Sequence, residues 1–409
     1  MTSAIERAEC GRSSAGPPLE VLRVFLKLGL TSFGGPVAHL GYFRHEFVVR
    51  RAWLDERAYA DLVALSQFLP GPASSQTGFA IGLMRAGYLG GLAAWAGFTL
   101  PSAAAMTLFA YGEGALRGPV GDGLMHGLKL VAVAIVAQAV MGMAQTLCPD
   151  RPRATIAVLA LILTTFTPAS WAQIVVILLG ALAGFFVCRQ SADIAFAGPE
   201  PPVSRRMGIA FAALYFALLA LSLVPMRAGT AALAAAFYRS GALVFGGGHV
   251  VLPLLRAAVV GPGWVSDGAF LAGYGVAQAV PGPLFTFAAY LGAVASVPPG
   301  GVLGAMLALV AIFAPGLLLM MAALVFWPDL RARNDARAAM AGVNAAVVGL
   351  LASALYNPVW TSAVRGPVDF AIAAAAFVAL IVGRAPPLLV VVATAAATVA
   401  LSLAGELSI

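Results

Sequence analysis

The strongest constraint on the fold is an internal duplication. Phe33-Gly34-Gly35 is followed by Gln67-Phe-Leu-Pro70-Gly71-Pro72, and Phe245-Gly246-Gly247 is followed by Gln278-Ala-Val-Pro281-Gly282-Pro283. Pro281 lies 211 residues after Pro70, and the spacings inside the two copies agree to within about one residue. Two copies of one pattern in an apolar chain are typical of transporters that are made of two related halves.

The composition excludes a soluble domain. Of the 409 residues, 61% are hydrophobic and only 10% are charged, and the mean hydropathy is +0.93. In a soluble domain, about a quarter of the residues are charged, because charged side chains cover its surface. The apolar runs approach the roughly 20 residues that span a bilayer. We therefore predict a polytopic all-α membrane protein, because an open sheet cannot satisfy its backbone in lipid and no barrel-type alternation is present.

The apolar segments divide the chain into two halves. Residues 1–18 are predicted to form a cytoplasmic tail, 19–190 the first half, 191–228 a linker with a connecting transmembrane helix, and 229–409 the second half. About thirteen transmembrane segments are expected, near residues 20–41, 58–83, 88–112, 124–147, 154–168, 170–188, 207–225, 229–255, 268–296, 301–327, 338–356, 367–383 and 386–405.

The segment order predicts an inverted repeat. The first segment corresponds to the eighth, and an odd offset of crossings gives the halves opposite orientations. Four arginines between residues 44 and 57 follow the first segment, whereas residues 261–267 of the second copy hold no basic residue. This difference, and the net charge of +7, fit arginines in cytoplasmic loops better than a nucleic-acid-binding face. Some arginines fit full crossings poorly and leave open a re-entrant path for the Pro-Gly-Pro segments: Arg151, Arg153, Arg189, Arg205 and Arg206.

Each copy carries residues that interrupt a helix. Inside a helix, glycine costs about 1 kcal/mol and proline about 3 kcal/mol relative to alanine. Broken helices at membrane depth need protein or a water-filled cavity to satisfy their backbone groups. Close helix packing and a purely structural kink are the alternative explanations. The predicted breaks are Gly34, Gly35, Pro70, Gly71, Pro72, Gly246, Gly247, Pro281, Gly282 and Pro283.

A helix that restarts after such a break is predicted to bind an anion. Its first N–H groups are free and its dipole presents a positive end. Polar side chains beside the breaks would add hydrogen-bond donors. These anion-binding candidates are Gln67, Ser74, Ser75, Gln76, Gln278 and Thr286, together with the four glycines at residues 34, 35, 246 and 247.

Ionisable residues inside the apolar segments are further candidates. Lys27 and Arg239 precede the two Phe-Gly-Gly stretches at equivalent positions, where a cation is costly unless it faces a cavity or a partner. The alternative is that they extend to the membrane interface. Asp61, His39 and His249 are candidates for proton coupling, although a histidine here could equally form a hydrogen bond in the core.

Enzyme signatures are missing from the sequence. It has no His-Glu-x-x-His, no Gly-x-Ser-x-Gly, no Walker A loop and no cluster of histidine and cysteine ligands. We therefore predict neither catalytic activity nor a metal or cofactor. An enzyme acting on a lipid phosphate would need clustered carboxylates or histidines, which the two copies do not share. A membrane scaffold that transports nothing is the other alternative, and it would not need cations and broken helices in both copies.

At these residues the chain resembles the chromate ion transporter family, in its long two-domain form. In the first copy the matching residues are Phe33-Gly-Gly-Pro-Val-Ala-His39, Trp53-Leu54 and Gln67 to Pro72. In the second copy they are Phe245-Gly-Gly-Gly-His249-Val-Val-Leu-Pro253, Gly263-Trp264-Val265, Phe270-Leu-Ala-Gly-Tyr274-Gly and Gln278-Ala-Val-Pro-Gly-Pro-Leu-Phe-Thr-Phe287.

The resemblance implies a multi-pass exporter of chromate in the bacterial inner membrane, driven by the proton gradient and conferring chromate resistance. Its partners would be the oxyanion, protons and the lipid bilayer, and a homo-oligomer is also expected. Chromate is a tetrahedral dianion, as is sulfate, so sulfate or another oxyanion is the competing cargo. Cations, helix N-termini and hydroxyl donors would replace the water of either ion.

Overall fold

A computed structural model describes residues 16–33, 35–113, 118–167, 170–188, 203–226, 228–245, 250–331 and 334–404. These residues form helices joined by turns, and no strand occurs among them. The predicted all-α fold is therefore confirmed. Most of the predicted N-terminal tail, and residues 189–202 at the boundary between the halves, lie outside the described residues.

The helices of the first half follow one another through short turns. A π-helical turn, His45–Arg50, continues the second of them. A separate helix, α8, then connects the halves. The bounds are α1 Pro18–Thr31, α2 Gly35–Arg44, α3 Glu56–Phe68, α4 Ala73–Glu113, α5 Gly118–Leu147, α6 Arg151–Phe166, α7 Ser170–Val187 and α8 Arg205–Ser222.

The helices of the second half repeat this order. Two π-helical turns, Arg256–Val260 and Leu355–Trp360, continue α10 and α14, and a 3-10 turn, Leu284–Thr286, precedes α12. The bounds are α9 Thr230–Ala242, α10 Val251–Leu255, α11 Asp267–Ala279, α12 Phe287–Val294, α13 Gly301–Arg331, α14 Asn334–Ala354, α15 Thr361–Ala363, α16 Pro367–Ile381 and α17 Pro387–Leu403.

Several helix boundaries differ from the expected segments. Residues 20–41, 58–83, 229–255 and 268–296 were each expected as one segment, but each is divided between two helices. Two of the divisions fall at the Pro-Gly-Pro sequences, because proline lacks the N–H that a continuing helix would use. Conversely, the expected segment 88–112 belongs to α4, which runs from Ala73 through a kink at Ala86 and Gly87.

Five helices of the described chain are long and apolar enough to cross a membrane: α4, α5, α8, α13, and α14 with its continuation. The described chain also contains shorter apolar helices, α16 and α17 among them. The fold is therefore that of a multi-pass membrane protein, while thirteen crossings and the inverted orientation of the halves stay predictions.

The two halves exchange their last helices. α5 of the first half packs against α16 and α17 of the second, and α14 of the second half packs against α6 and α7 of the first. Gly127 of α5 lies against Thr398 of α17, and Gly342 of α14 lies against Gly180 of α7. Gly127 and Gly342 are 215 residues apart and occupy equivalent places. A side chain at either would collide with the neighbouring helix, so small residues permit both close approaches.

Candidate anion site at the helix crossing

Two reciprocal hydrogen bonds join the broken helices of the two halves. The Gly71 N–H donates to the Val244 carbonyl oxygen at 2.7 Å, and the Gly282 N–H donates to the Ser32 carbonyl oxygen at 2.9 Å. Ser32 and Val244 are repeat equivalents that follow α1 and α9. Each Pro-Gly-Pro turn therefore closes on the first helix of the other half, and the four helix ends meet at one crossing.

Glycine is required at the centre of both turns. Gly71 has φ +123° and Gly282 has φ +106°, in the region that side chains rarely adopt. A Cβ at Gly71 would lie 3.0 Å from Gly316 Cα, and a Cβ at Gly282 would lie 3.2 Å from the Phe98 carbonyl oxygen. Gly316 lies on α13 and Phe98 on α4, so each turn also packs against the long helix of the other half.

The start of α4 brings four polar side chains to this crossing, all of them buried. Gln76 Nε2 donates to the Pro70 carbonyl oxygen at 2.9 Å and to the Gly316 carbonyl oxygen at 3.0 Å. Its amide therefore ties the first turn of α4 to both halves. Thr77 Oγ1 donates to Ser66 Oγ at 2.8 Å and extends the polar contacts to α3. The four residues are Ser74, Ser75, Gln76 and Thr77.

His39 of α2 completes the polar side of the crossing. It is 1% exposed, its Nδ1 lies 3.4 Å from Ser74 Oγ, and its ring packs edge-on against Phe98. Buried polar atoms are nearly always hydrogen-bonded. Three hydroxyls have no partner among the described residues, namely Ser32 Oγ, Ser75 Oγ and Thr99 Oγ1, and the His39 ring also interacts with the Ser32 backbone. Unpaired donors of this kind suit a ligand that brings its own acceptor oxygens.

The second half contributes mainly apolar side chains. Phe285, Thr286 and Phe287 are the equivalents of Ser74, Ser75 and Gln76 at an offset of 211 residues. Thr286 Oγ1 donates to the Pro283 carbonyl oxygen at 2.8 Å and is already satisfied. The Gln278 side chain is half-buried and interacts with the buried Tyr274 of the same helix. The site is therefore polar on the side of the first half and apolar on the other.

Two predicted site residues lie away from this polar cluster. Lys27 is exposed on α1, beside the exposed Leu26 and Leu30. Arg239 is half-buried on α9, and its Nη1 donates to the Ser222 carbonyl oxygen at 3.0 Å, near the end of α8. No contact between either cation and the polar cluster is present among the described residues. Both nevertheless stand five residues before the carbonyl groups that accept the reciprocal hydrogen bonds.

The remaining candidates are spread over the crossing and its surroundings. Gly35 begins α2 with φ +80°. Asp61 is half-buried on α3, and Gln67, near the end of the same helix, is exposed. The turns Pro70-Gly71-Pro72 and Pro281-Gly282-Pro283 separate α3 from α4 and α11 from the 3-10 turn. Four candidates lie outside the described residues: Gly34, Gly246, Gly247 and His249.

One repeated ion pair was missed from the sequence. Arg44 Nε donates to Glu56 Oε1 at 2.6 Å, and Arg256 Nε donates to Asp267 Oδ1 at 2.8 Å. Arg256 lies 212 residues after Arg44, so the same pair occurs in both halves. Arg256 precedes residues 261–267, the stretch without a basic residue. The difference in basic residues between the two loops is therefore smaller than expected.

A buried pair of ionisable side chains was also missed. His126 Nε2 of α5 lies 2.7 Å from Asp369 Oδ1 of α16. A histidine and an aspartate in apolar segments can each be recognised in the sequence. Their pairing cannot, because 243 positions separate them. Only the exchange of helices between the halves brings them together.

These features define a multi-pass helical membrane protein that is built from two repeats and has a polar cluster where its broken helices cross. The family model described as Chromate transporter matches residues 19–185 and again 231–399. The chain belongs to the chromate transporter family. The predicted resemblance is confirmed, as is the prediction of a transporter rather than an enzyme.

Named relatives cover most of the chain. It is 29% identical to a chromate transport protein of Pseudomonas aeruginosa, over 86% of this chain and 84% of that protein. It is 25% identical to a chromate transport protein of Cupriavidus metallidurans, over 82% of this chain and 81% of that protein. It is also 25% identical to a probable chromate transport protein of Synechococcus elongatus, over 82% of this chain and 83% of that protein. No solved structure matches the chain significantly.

Proposed function

We propose that this protein exports chromate across the bacterial inner membrane by proton-coupled transport and so confers chromate resistance. The observation that carries the proposal is the group of buried hydroxyls without partners among the described residues of the helix crossing, on Ser32, Ser75 and Thr99, next to the buried His39. They belong to a chain whose family and named relatives transport chromate.

The proposed site matches the chemistry of a tetrahedral dianion. Chromate offers four acceptor oxygens, and hydroxyl and imidazole donors replace the water that it loses on entry. The N-terminus of α4 begins beside Ser74 and Ser75 and adds free N–H groups and the positive end of its dipole. The apolar side formed by Phe285 and Phe287 excludes water and strengthens these electrostatic contacts.

Lys27 and Arg239 are proposed to attract the anion towards the crossing rather than to bind it within the buried cluster. Each stands one and a half helical turns before the crossing, at about 1.5 Å per residue. Two positive charges at equivalent approaches would raise the local concentration of a dianion, and salt would screen this effect. Alternating exposure of the site then follows from rocking of the two halves about the reciprocal hydrogen bonds.

Radiolabelled chromate uptake into proteoliposomes under an imposed proton gradient tests the proposal. We expect Ser75→Ala to reduce flux by about tenfold, because a buried donor to a charged ligand is lost. Thr107→Val is the matched control on α4, since the Thr107 hydroxyl donates to its own helix at the Ala103 carbonyl oxygen, 2.8 Å away. Lys27→Gln combined with Arg239→Gln should lower flux and weaken its dependence on salt.

Two results would overturn parts of the proposal. Absence of flux in folded wild-type protein would reject autonomous chromate transport. Equal flux in wild type and Ser75→Ala would reject the crossing as the binding site. Excess sulfate in the same assay tests the competing cargo, since a group of hydroxyl donors accommodates either tetrahedral dianion. Near-complete inhibition by excess sulfate would identify a general oxyanion carrier.

A further inference from the structure

A buried histidine–aspartate pair joins the two halves away from the helix crossing. His126 Nε2 and Asp369 Oδ1 lie 2.7 Å apart, with side chains 3% and 7% exposed. The second oxygen, Asp369 Oδ2, accepts the backbone N–H of Arg365 at 2.9 Å. The carboxylate is therefore held from both sides, at the contact where α16 docks on α5.

On one side of this pair, α5 and α17 are closely packed. Gly123 and Gly127 of α5 lie against Val399 and Thr398 of α17, and α17 carries no titratable residue. His126 Nδ1 is buried and has no hydrogen-bond partner among the residues that the structure describes. Burying two ionisable groups costs several kcal/mol per ion unless their pairing offsets it. Inside a membrane such residues are functional candidates.

Other charges stand near the pair. Lys129 follows His126 by one helical turn, is half-buried and lies beside Gly268 of α11. Arg365 precedes α16 and is close enough to Lys129 to act on it electrostatically. The other titratable residues on the described elements packed against α5 are Asp267 and Tyr274 on α11, Tyr356 on the π-helical turn, and Asp335 and Arg337 at the start of α14.

The repeat docks the equivalent helices without such a pair. The equivalent contact between α6 and α14 has alanine at both positions. Ala341 corresponds to His126 and Ala154 to Asp369, each at an offset of 215 residues. Alanines suffice where one pair of helices docks, whereas the other contact holds a histidine and an aspartate. A role beyond packing explains this difference, and that role belongs to one half only.

We propose that His126 and Asp369 bind the proton that couples transport to the proton gradient. This inference rests on the proposed function. A carboxylate with a neutral imidazole carries one negative charge, and one added proton makes a neutral imidazolium–carboxylate pair. The protonated pair has the stronger hydrogen bond and favours α16 docked on α5. Loss of the proton to the other side weakens that contact and favours the alternative packing.

The test separates two modes of transport in proteoliposomes. Gradient-driven chromate accumulation needs proton binding, whereas exchange of internal for external chromate at equal pH needs only the anion site. We expect Asp369→Asn and His126→Gln to lose accumulation and the accompanying proton movement, read with a pH-sensitive dye, while they keep exchange. Asp369→Glu should restore part of the accumulation. Asp335→Asn, an exposed carboxylate on α14, is the matched control and should behave as wild type.

A second variant addresses failure to fold. His126→Ala with Asp369→Ala copies the alanines of the equivalent contact, so it should fold, keep exchange and lose accumulation. Gradient-driven accumulation in this double variant would overturn the inference, and so would loss of both modes in a folded protein. Wild-type accumulation without proton movement would also reject it while leaving chromate transport intact. Absence of both modes in wild type would instead reject the proposed function.

Discussion

At the scale of single residues, the charged side chains that follow α2 are held by specific partners. Glu46, in the arginine-bearing connection between α2 and α3, is buried and accepts hydrogen bonds from Arg50 Nη1 at 2.9 Å and Arg51 Nε at 2.6 Å. Arg51 also reaches Glu20 of α1 at 3.4 Å. Buried carboxylates persist in proteins when such partners offset the loss of water.

The Glu46 cluster predicts a pH-dependent stability. Burial acts to raise the pKa of Glu46, but the hydrogen bonds from Arg51 and Arg50 lower this pKa below its ordinary value of 4.5. A carboxyl with a depressed pKa in the folded state contributes stability above its unfolded pKa and loses it as pH falls through the folded value. The melting-temperature difference between wild type and Glu46→Gln in detergent should therefore be largest above pH 4.5 and shrink in acid. A pH-independent difference would contradict this assignment.

At the scale of elements, the Pro-Gly-Pro turns determine where the helices cross. The prolines end α3 and α11, and the glycines adopt φ values that turn each chain towards the first helix of the other half. One N–H from each turn is used between the halves rather than within a helix. A turn of three residues therefore forms part of the interface between the repeats.

We expect Gly71→Ala and Gly282→Ala each to destabilise the protein by about 1–3 kcal/mol, because alanine is strained at these φ values. The added Cβ also crowds the facing long helix. Melting temperature and chromate flux should fall together in both variants. Gly142→Ala on α5 is the control, since a Cβ there meets nothing within 4 Å and alanine favours a helix. Unchanged melting of either turn variant would argue against the strained turn.

At the scale of the whole molecule, the halves share one body. Their first helices meet at the crossing, and their last helices are exchanged. The predicted inverted orientation would place the arginine-bearing connection after α2 and its counterpart after α10 on opposite sides of the membrane. Both connections are exposed, at His45 and Pro262 respectively, so labelling can distinguish the two sides.

Single-cysteine variants test this orientation. His45→Cys and Pro262→Cys are made in a background in which Cys10, Cys148 and Cys188 are serine. A membrane-impermeant maleimide should label Pro262→Cys in intact cells, and His45→Cys only after the membrane is permeabilised. Labelling of both variants from the same side would reject the inverted repeat.

The sequence predicts the positions of the breaks better than the contacts between them. Proline and glycine act locally, so the interruptions near Pro70 and Pro281 follow from backbone chemistry alone. The exposure of Lys27 depends on which face of α1 packs against α4. The apolar residues around Lys27 do not determine that face. The pairing of His126 with Asp369 depends on which half receives α16. A duplication relates equivalent helices but does not say which of them touch.

The exchange of terminal helices has a consequence for biosynthesis. α5 leaves the ribosome long before α16 and α17, so its glycine-lined face and His126 stay uncovered until the last part of the chain is made. The first half alone would lack the partners of α5 and would leave α6 and α7 without α14. Each half should therefore be degraded when it is expressed alone, and the two halves should stabilise each other when they are expressed together.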